Sequence, residues 1–309
     1  MISSTIANLA QETKLLNRIF TTQKQILDTQ NQISTQKVAV RYSEIAADSD
    51  RLVNLKASQE RIDRFTLNNQ QVIQRLQTME LHTSQIFDIA TEFRTLLISA
   101  LNTDDNASNI AINAEATNRL EAVSGLLNVD VEGRYLFSGM RTSTRPVDLT
   151  DPTFLPPPAG YPSAADTTYY QGDGATLVAH ADDDLDVSYG VRADAPGFEK
   201  LIRALHLSQT TVTSPLDRAR LEEALRLAEE AVNEIPDIRT GIGASLKTLE
   251  LANEIHTDAI LQTQGAVSGI ENVDVAAAMT KLSNDQLHLE ASFMVLARLS
   301  SLSLINFLR

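Results

Sequence analysis

The stretch DVAAAMTKLSNDQLHLEASFMVLARLSSLSLINFLR, residues Asp274 to Arg309, decides the fold. Its apolar residues fall at Val275, Met279 and Leu282, skip one step at Gln286, and resume at Leu289, Phe293 and Leu296. Steps of four and three alternate, the 3.5-residue repeat of a helix with one narrow apolar seam. Ser300 and Ser303 carry the seam on as small polar residues, and Phe307 closes it. Asp274 is the expected N-cap, because its carboxylate can accept from N–H groups that the first turn leaves unpaired. No Pro or Gly interrupts this stretch. A helix this long cannot bury its own seam, so it needs a partner. The other terminus offers one: Ile2, Ile6, Leu9, Thr13, Leu16, Phe20, Gln23, Leu27 and Gln30 take similar steps, also without Pro or Gly.

Between the termini the chain reads as helices, an insert, and helices again. Small and polar residues from Arg41 to Asp50 form a junction after the first helix. Arg51 to Leu101 is a second helical pattern, with Leu52, Leu55, Ile62, Phe65, Val72, Leu76, Met79, Ile86, Ile89 and Phe93 at steps mostly of three, four and seven. At about 1.5 Å per residue it makes a rod of about 75 Å. The turn formers Asn102 to Asn106 break it, and Ala107 to Asp130 is a third helix. Glycines then bracket a β-prone run from Gly133 to Gly139, which reads as a hairpin or corner.

Seven of the nine prolines lie between Pro146 and Pro196, and no helical period survives there. Leu177 to Ala179 and Leu185 to Tyr189 suggest short strands. Helical character resumes near Phe198; Ser214-Pro215 opens a further helix, and Pro236 interrupts it before the pattern runs on to about Ile270. The expected organisation is mainly α and elongated. Residues 1–43 with 272–309 form a terminal-helix coiled coil, 44–140 with 196–271 a helical rod, and 141–195 a small β-rich insert.

Composition narrows the function. Aromatic residues make up 5% and Trp is absent, so the core is built from Leu, Ile, Val and Ala, which suits helix packing. The formal charge of −14 repels phosphate backbones and anionic membrane surfaces, so nucleic acid is not an expected partner. Without Cys there are no disulfides, thiolate nucleophiles or Cys-based zinc sites. No segment reaches the roughly 20 apolar residues of a membrane span, so no membrane insertion is expected. The start MISSTIANLAQETK lacks the basic head and apolar core of a cleavable signal peptide.

Candidate chemistry is sparse. His82, His180, His206, His256 and His288 stand singly, without metal-ligand spacing. Glu254 and Asp258 flank His256 at a spacing of two, which does not share a helix face. The acidic run Asp182 to Asp186 lacks the ligand alternation and central Gly of a calcium loop. Gly172-Asp173-Gly174 and Gly241-Ile242-Gly243 lack the residues of a phosphate loop. No catalytic residues, metal or cofactor are assigned, and an enzyme is not expected.

Several segments resemble the bacterial flagellin superfamily. Ile270 to Asp274, Gln286 to Ser292 and the ending Ser301 to Leu308 are similar to its terminal helix, and Ile238 to Ala244 is similar to a turn in its C-terminal half. Gly133, Tyr135, Leu136, Phe137, Ser138 and Gly139 match a Gly-x-Tyr-Leu-Phe-Ser-Gly motif of the superfamily's hook–filament junction members. Tyr169 to Asp173 resembles a segment of their inserted domain, and Ile33 to Lys37 resembles their Ile-Ser-Thr-Gly-Lys, with Gln36 where Gly is usual.

The resemblance implies a flagellin-like fold in which paired termini form an inner coiled-coil domain and the insert faces outward. It implies an extracellular place in the flagellum, as a ring of copies between hook and filament. Its partners would be copies of itself, the neighbouring hook-associated junction protein, flagellin, and a cytosolic export chaperone. Export would use the flagellar type III apparatus without cleavage. Leu9, Leu16, Phe20 and Leu27 at one terminus, with Leu282, Leu289, Phe293 and Leu296 at the other, are the expected assembly contacts. Two other readings stand beside this one: a flagellin that forms the filament itself, and a cytoplasmic coiled-coil scaffold.

Overall fold

The computed structural model describes residues 2–39, 41–45, 48–102, 106–155, 160–209 and 217–307; within these, side chains are described except at 2–9, 42, 44, 106–111 and 300–307. The elements run α1 (Ile2–Thr35), α2 (Ser49–Leu101), α3 (Asn106–Leu127), β1 (Asp130–Val131), β2 (Arg134–Tyr135), β3 (Leu177–Asp182), β4 (Leu185–Tyr189), α4 (Pro196–Ser208), α5 (Arg218–Glu271) and α6 (Val275–Phe307), with a 3-10 turn at Tyr42–Ile45. They form two compact units, residues 1–61 with 259–309 and residues 62–258.

In the first unit the terminal helices pair, α1 against α6. Asp274 caps α6: its Oδ1 accepts from the N–H groups of Ala276 and Ala277, both at 3.0 Å. Such a cap is worth about 1 kcal/mol. The end of α1 and the approach to α6 are tied by backbone. Val38 N–H donates to Glu271 O at 2.8 Å, and Val273 N–H to Gln36 O at 3.1 Å. Gln36 sits just past α1 with φ of 58°, the left-handed conformation that usually calls for Gly at a helix C-terminus. The bend therefore forms without the glycine, at a cost in strain of about 1 kcal/mol. Gln36→Gly is expected to raise the melting temperature of the terminal helices, read by far-UV circular dichroism; a lower one would contradict the strain.

The second unit is built on α2. Val72, Leu76, Met79, Ile86, Ala90, Phe93 and Leu97 are all buried, at steps of three, four and seven. Leu120, Val123 and Leu127 of α3 join them, as do Phe198, Leu201, Ile202 and Leu205 of α4 and Leu221, Leu227, Ile235 and Leu249 of α5. Helix α4 packs directly on α3.

One sequence expectation fails here. Pro236 lies inside α5, which runs unbroken from Arg218 to Glu271. An interior Pro costs roughly 3 kcal/mol. Packing around it outweighs that cost: Ile235 and Ile242 are buried, and a Cβ at Gly197 of α4 would already lie 3.1 Å from Ile235. Along the run toward Ile270, Leu251, Ile255 and Leu261 are exposed. Ser214-Pro215 lies outside the described residues.

Two hairpins interrupt the helices. β1 and β2 pair across a Glu132-Gly133 turn, with φ of 55° and 75°. Positive φ at both positions is the tight-hairpin signature. β3 and β4 pair antiparallel, Leu177 opposite Tyr189, with a register shift between His180 and Asp182. Ala179, Ala181, Val187 and Tyr189 face the core. The irregular strand is pinned to both long helices, because Ala181 O accepts from Asn69 Nδ2 of α2 at 3.1 Å and bonds His256 Nε2 of α5 at 2.8 Å. The described residues of 141–155 and 160–195 outside this hairpin are mostly turn and irregular chain, with an isolated bridge between Val147 and Tyr170.

Candidate assembly surface

The terminal helices bury one stripe each and leave a second uncovered. On α1 the covered stripe is Leu15, Ile19, Thr22, Ile26, Thr29 and Ile33, at steps of four and three. Ile19 is 3% exposed, whereas Leu16 is 38%, Phe20 64% and Leu27 60% exposed. One residue is about 100° around a helix. The seam expected at Leu16, Phe20 and Leu27 thus lies beside the covered face, not on it. On α6 the covered stripe is Val275, Ala278, Leu282, Asp285, Leu289, Ser292 and Leu296. Leu282, Leu289 and Leu296 are half-buried there, while Phe293 is 46% exposed. Leu9 lies among the residues whose side chains are not described, as do Ser300, Ser303 and Phe307.

The covered stripes mix small residues with Leu and Ile. The covered faces include Thr22, Thr29, Ala278 and Ser292, small enough for two backbones to approach. The uncovered faces carry large apolar side chains too, with Met279, Leu287, Met294 and Val295 also exposed on α6. A helix with apolar residues on several faces normally has further neighbours to cover them.

The six motif residues form a corner in the second unit. Leu136, Phe137 and Ser138 are buried, and Phe137 meets Phe198 edge-on at 6.1 Å. Tyr135 N–H donates to Thr142 O at 2.7 Å. The corner interlocks with the Tyr169 to Asp173 segment. Asp173 N–H donates to Ser138 O at 3.2 Å, and Met140 N–H donates to Asp173 Oδ1 at 2.8 Å. Gly139 has φ of 69°, and a Cβ there would stand 2.3 Å from Asp173 Oδ1. At Gly172 a Cβ would stand 2.5 Å from Ser138 O. Tyr169, fully buried, donates its hydroxyl to Ala193 O at 3.1 Å. Burial pushes its phenol well above the ordinary tyrosine range, so it acts as a neutral donor. The two segments that resembled junction members are thus halves of one interlocked structure.

Comparison with known proteins places the chain. The bacterial flagellin N-terminal helical region matches residues 6–142, and the bacterial flagellin C-terminal helical region matches residues 225–308. The chain belongs to the bacterial flagellin family. Flagellar hook-associated protein 3 of Escherichia coli (strain K12) is 23% identical over 294 residues, covering 89% of this chain and 90% of that protein. Two crystal structures share the fold. The flagellar junction protein FlgL from Legionella pneumophila superposes with a TM-score of 0.54 at 13% identity, covering 71% of this chain and 99% of that one. Bacillus cereus FlgL gives 0.55 at 18% identity, over 71% and 99%.

One cluster of this flagellin-family chain was invisible to sequence reasoning. Glu223 of α5 accepts from the Ser163 N–H at 2.7 Å, from the Ser163 hydroxyl at 2.8 Å and from Arg226 Nη2 at 2.8 Å. Arg203, buried and paired with Glu199 at 2.9 Å, donates to the Ser163 hydroxyl at 2.8 Å. Glu199 in turn accepts from Asp166 N–H at 3.0 Å. These charges clamp the proline-rich insert to α4 and α5. Arg226 foremost, then the Ser163 groups, hold the Glu223 carboxyl down at about 2 from its ordinary 4.5, against the opposing effect of burial.

A depressed carboxyl stabilises the fold above its unfolded pKa, and that stability is lost as pH falls through the folded one. Unfolding free energy is expected to drop by about 3 kcal/mol between pH 5 and pH 2 through this group. Tyrosine fluorescence in urea measures it, since Tyr135, Tyr161, Tyr169, Tyr170 and Tyr189 all lie in residues 62–258. Glu223→Gln should flatten the slope; an unchanged slope would exclude Glu223 as its source.

Among the described residues, no three His, Asp or Glu side chains gather as a metal site, and no helix is long and apolar enough to cross a membrane. His256 is occupied structurally, bonded to Ala181 O and stacked on Phe65 at 5.9 Å.

Proposed function

We infer that this chain is a structural component of the bacterial flagellum, the hook–filament junction protein, assembling as a ring between hook and filament. The observation that carries this reading is the likeness to Flagellar hook-associated protein 3 along nearly the full length of both chains. The protein is no enzyme; its work is to hold two polymers together. Residues 1–43 with 272–309 are the assembling part, residues 44–140 with 196–271 the supporting helical part, and residues 141–195 the outward-facing insert. Leu9, Leu16, Phe20, Leu27 and Phe293 meet neighbouring subunits, and Leu282, Leu289 and Leu296 hold the helix that presents them. The exposure of Leu16, Phe20, Leu27 and Phe293 in the single chain supports that division of labour.

The neighbours are further copies, the adjoining hook-associated protein and flagellin. The chain leaves the cell through the flagellar export apparatus, escorted by a cytosolic chaperone. Burial on assembly supplies stability that the terminal helices lack in the free chain. Deleting the gene tests the reading. Cells should carry hooks without attached filaments and release flagellin into the medium. Filaments of normal length on the deletion strain would overturn it.

A further inference from the structure

The first unit contains a cavity of about 150 Å³ at the meeting of the α1 end, the 3-10 turn, the start of α2 and the end of α5. Lys37, Arg41, Lys56 and Glu271 are its charged lining, and Ile45 and Leu52 give it an apolar wall. Both lysines reach the single carboxylate: Lys37 Nζ lies 2.5 Å from Glu271 Oε1, and Lys56 Nζ lies 3.0 Å from Oε2. The Lys37 contact first, then that of Lys56, keeps the Glu271 carboxyl below the ordinary range, so it stays ionised. Among the described lining residues, three positive charges therefore face one negative charge, and Arg41 is exposed.

This is the reverse of the chain as a whole, which carries 40 acidic against 26 basic residues. Copies bearing −14 each repel one another when they pack side by side. A cationic cavity that receives a neighbour's carboxylate turns part of that repulsion into attraction and fixes register. It belongs to the same unit as the uncovered apolar stripes of α1 and α6. The apolar wall suits the methylene stem of an acidic side chain, and the lysines and arginine suit its head.

We propose that this cavity docks an Asp or Glu side chain of a second copy of this chain in the assembled ring. The proposal rests on the assembly reading above. Its test uses full-length chain in flagellated cells, with the photo-cross-linker p-benzoylphenylalanine replacing the uncharged lining residue Ala39. Flagella are sheared off after irradiation and the adducts mapped by mass spectrometry. The expected adduct joins position 39 to an acidic segment of another copy. In parallel, Arg41→Glu should lower the amount of chain in sheared flagella by about tenfold, with Arg41→Lys close to wild type and all three chains melting alike. Adducts only to a different flagellar protein, no adduct from incorporated chain, or wild-type incorporation of Arg41→Glu would overturn the proposal. Failure of the assembly reading itself looks different: the unmodified chain would be missing from flagella altogether.

Discussion

Replacing Phe293 by Asp is expected to abolish incorporation of the chain into flagella while leaving residues 62–258 folded. Phe293 lies on the uncovered side of α6, 46% exposed in the single chain. A charge there costs the free chain little, within about 0.5 kcal/mol for an ordinary surface change. In a packed interface the same carboxylate is taken out of water without a partner, which costs several kcal/mol per ion. The cost repeats at every subunit of a ring. Immunoblots of sheared flagella should show the variant missing, swimming should cease, and urea unfolding followed by tyrosine fluorescence should match the parent chain. Normal motility with the variant present in flagella would remove Phe293 from the assembly surface.

Gly139→Ala is expected to destabilise residues 62–258 by about 3 kcal/mol, the sum of left-handed strain and overpacking. The backbone at Gly139 holds φ of 69°, and the added methyl would stand 2.3 Å from Asp173 Oδ1 and 2.8 Å from Asp173 O. Relief requires breaking the lock between the corner and the Tyr169 to Asp173 segment. Gly125→Ala is the control: it lies within α3, has nothing within 4 Å of its Cβ, and should gain up to about 1 kcal/mol. Urea unfolding of both variants reads the difference. Equal stabilities would mean that the corner yields at no cost.

The terminal pairing and the long α2 were legible because spacing and the absence of Pro and Gly are local signals, and both survive in the structure. Asp274 was legible for the same reason, since a cap acts on its own first turn. Periodicity gave the period of the terminal seams but not which of two overlapping stripes faces inward. On α1 the stripe through Leu16, Phe20 and Leu27 is exposed, while the overlapping stripe through Ile19, Thr22 and Ile26, with a polar Thr in its midst, is the covered one. Pro236 misled because a local penalty was weighed without the packing that Ile235, Ile242 and Gly197 bring from elsewhere in the chain.

The clamp of Glu223 on Ser163 joins residues 60 apart in sequence, and no period or motif links them. The motif corner lies between these cases. Resemblance found its residues, but only the bonds from Asp173 to Ser138 and Met140 explain why two distant segments carry one signature.

As a junction protein, the chain resides at one place along the flagellum, between hook and filament. Sheared flagella labelled with an antibody to residues 141–195 and viewed by electron microscopy test it directly. A single spot at the hook end of each filament is the predicted result. Label along the whole filament would contradict it and make the chain a filament flagellin, while intact flagella without label, with the protein retained in the cell, would contradict a flagellar place altogether.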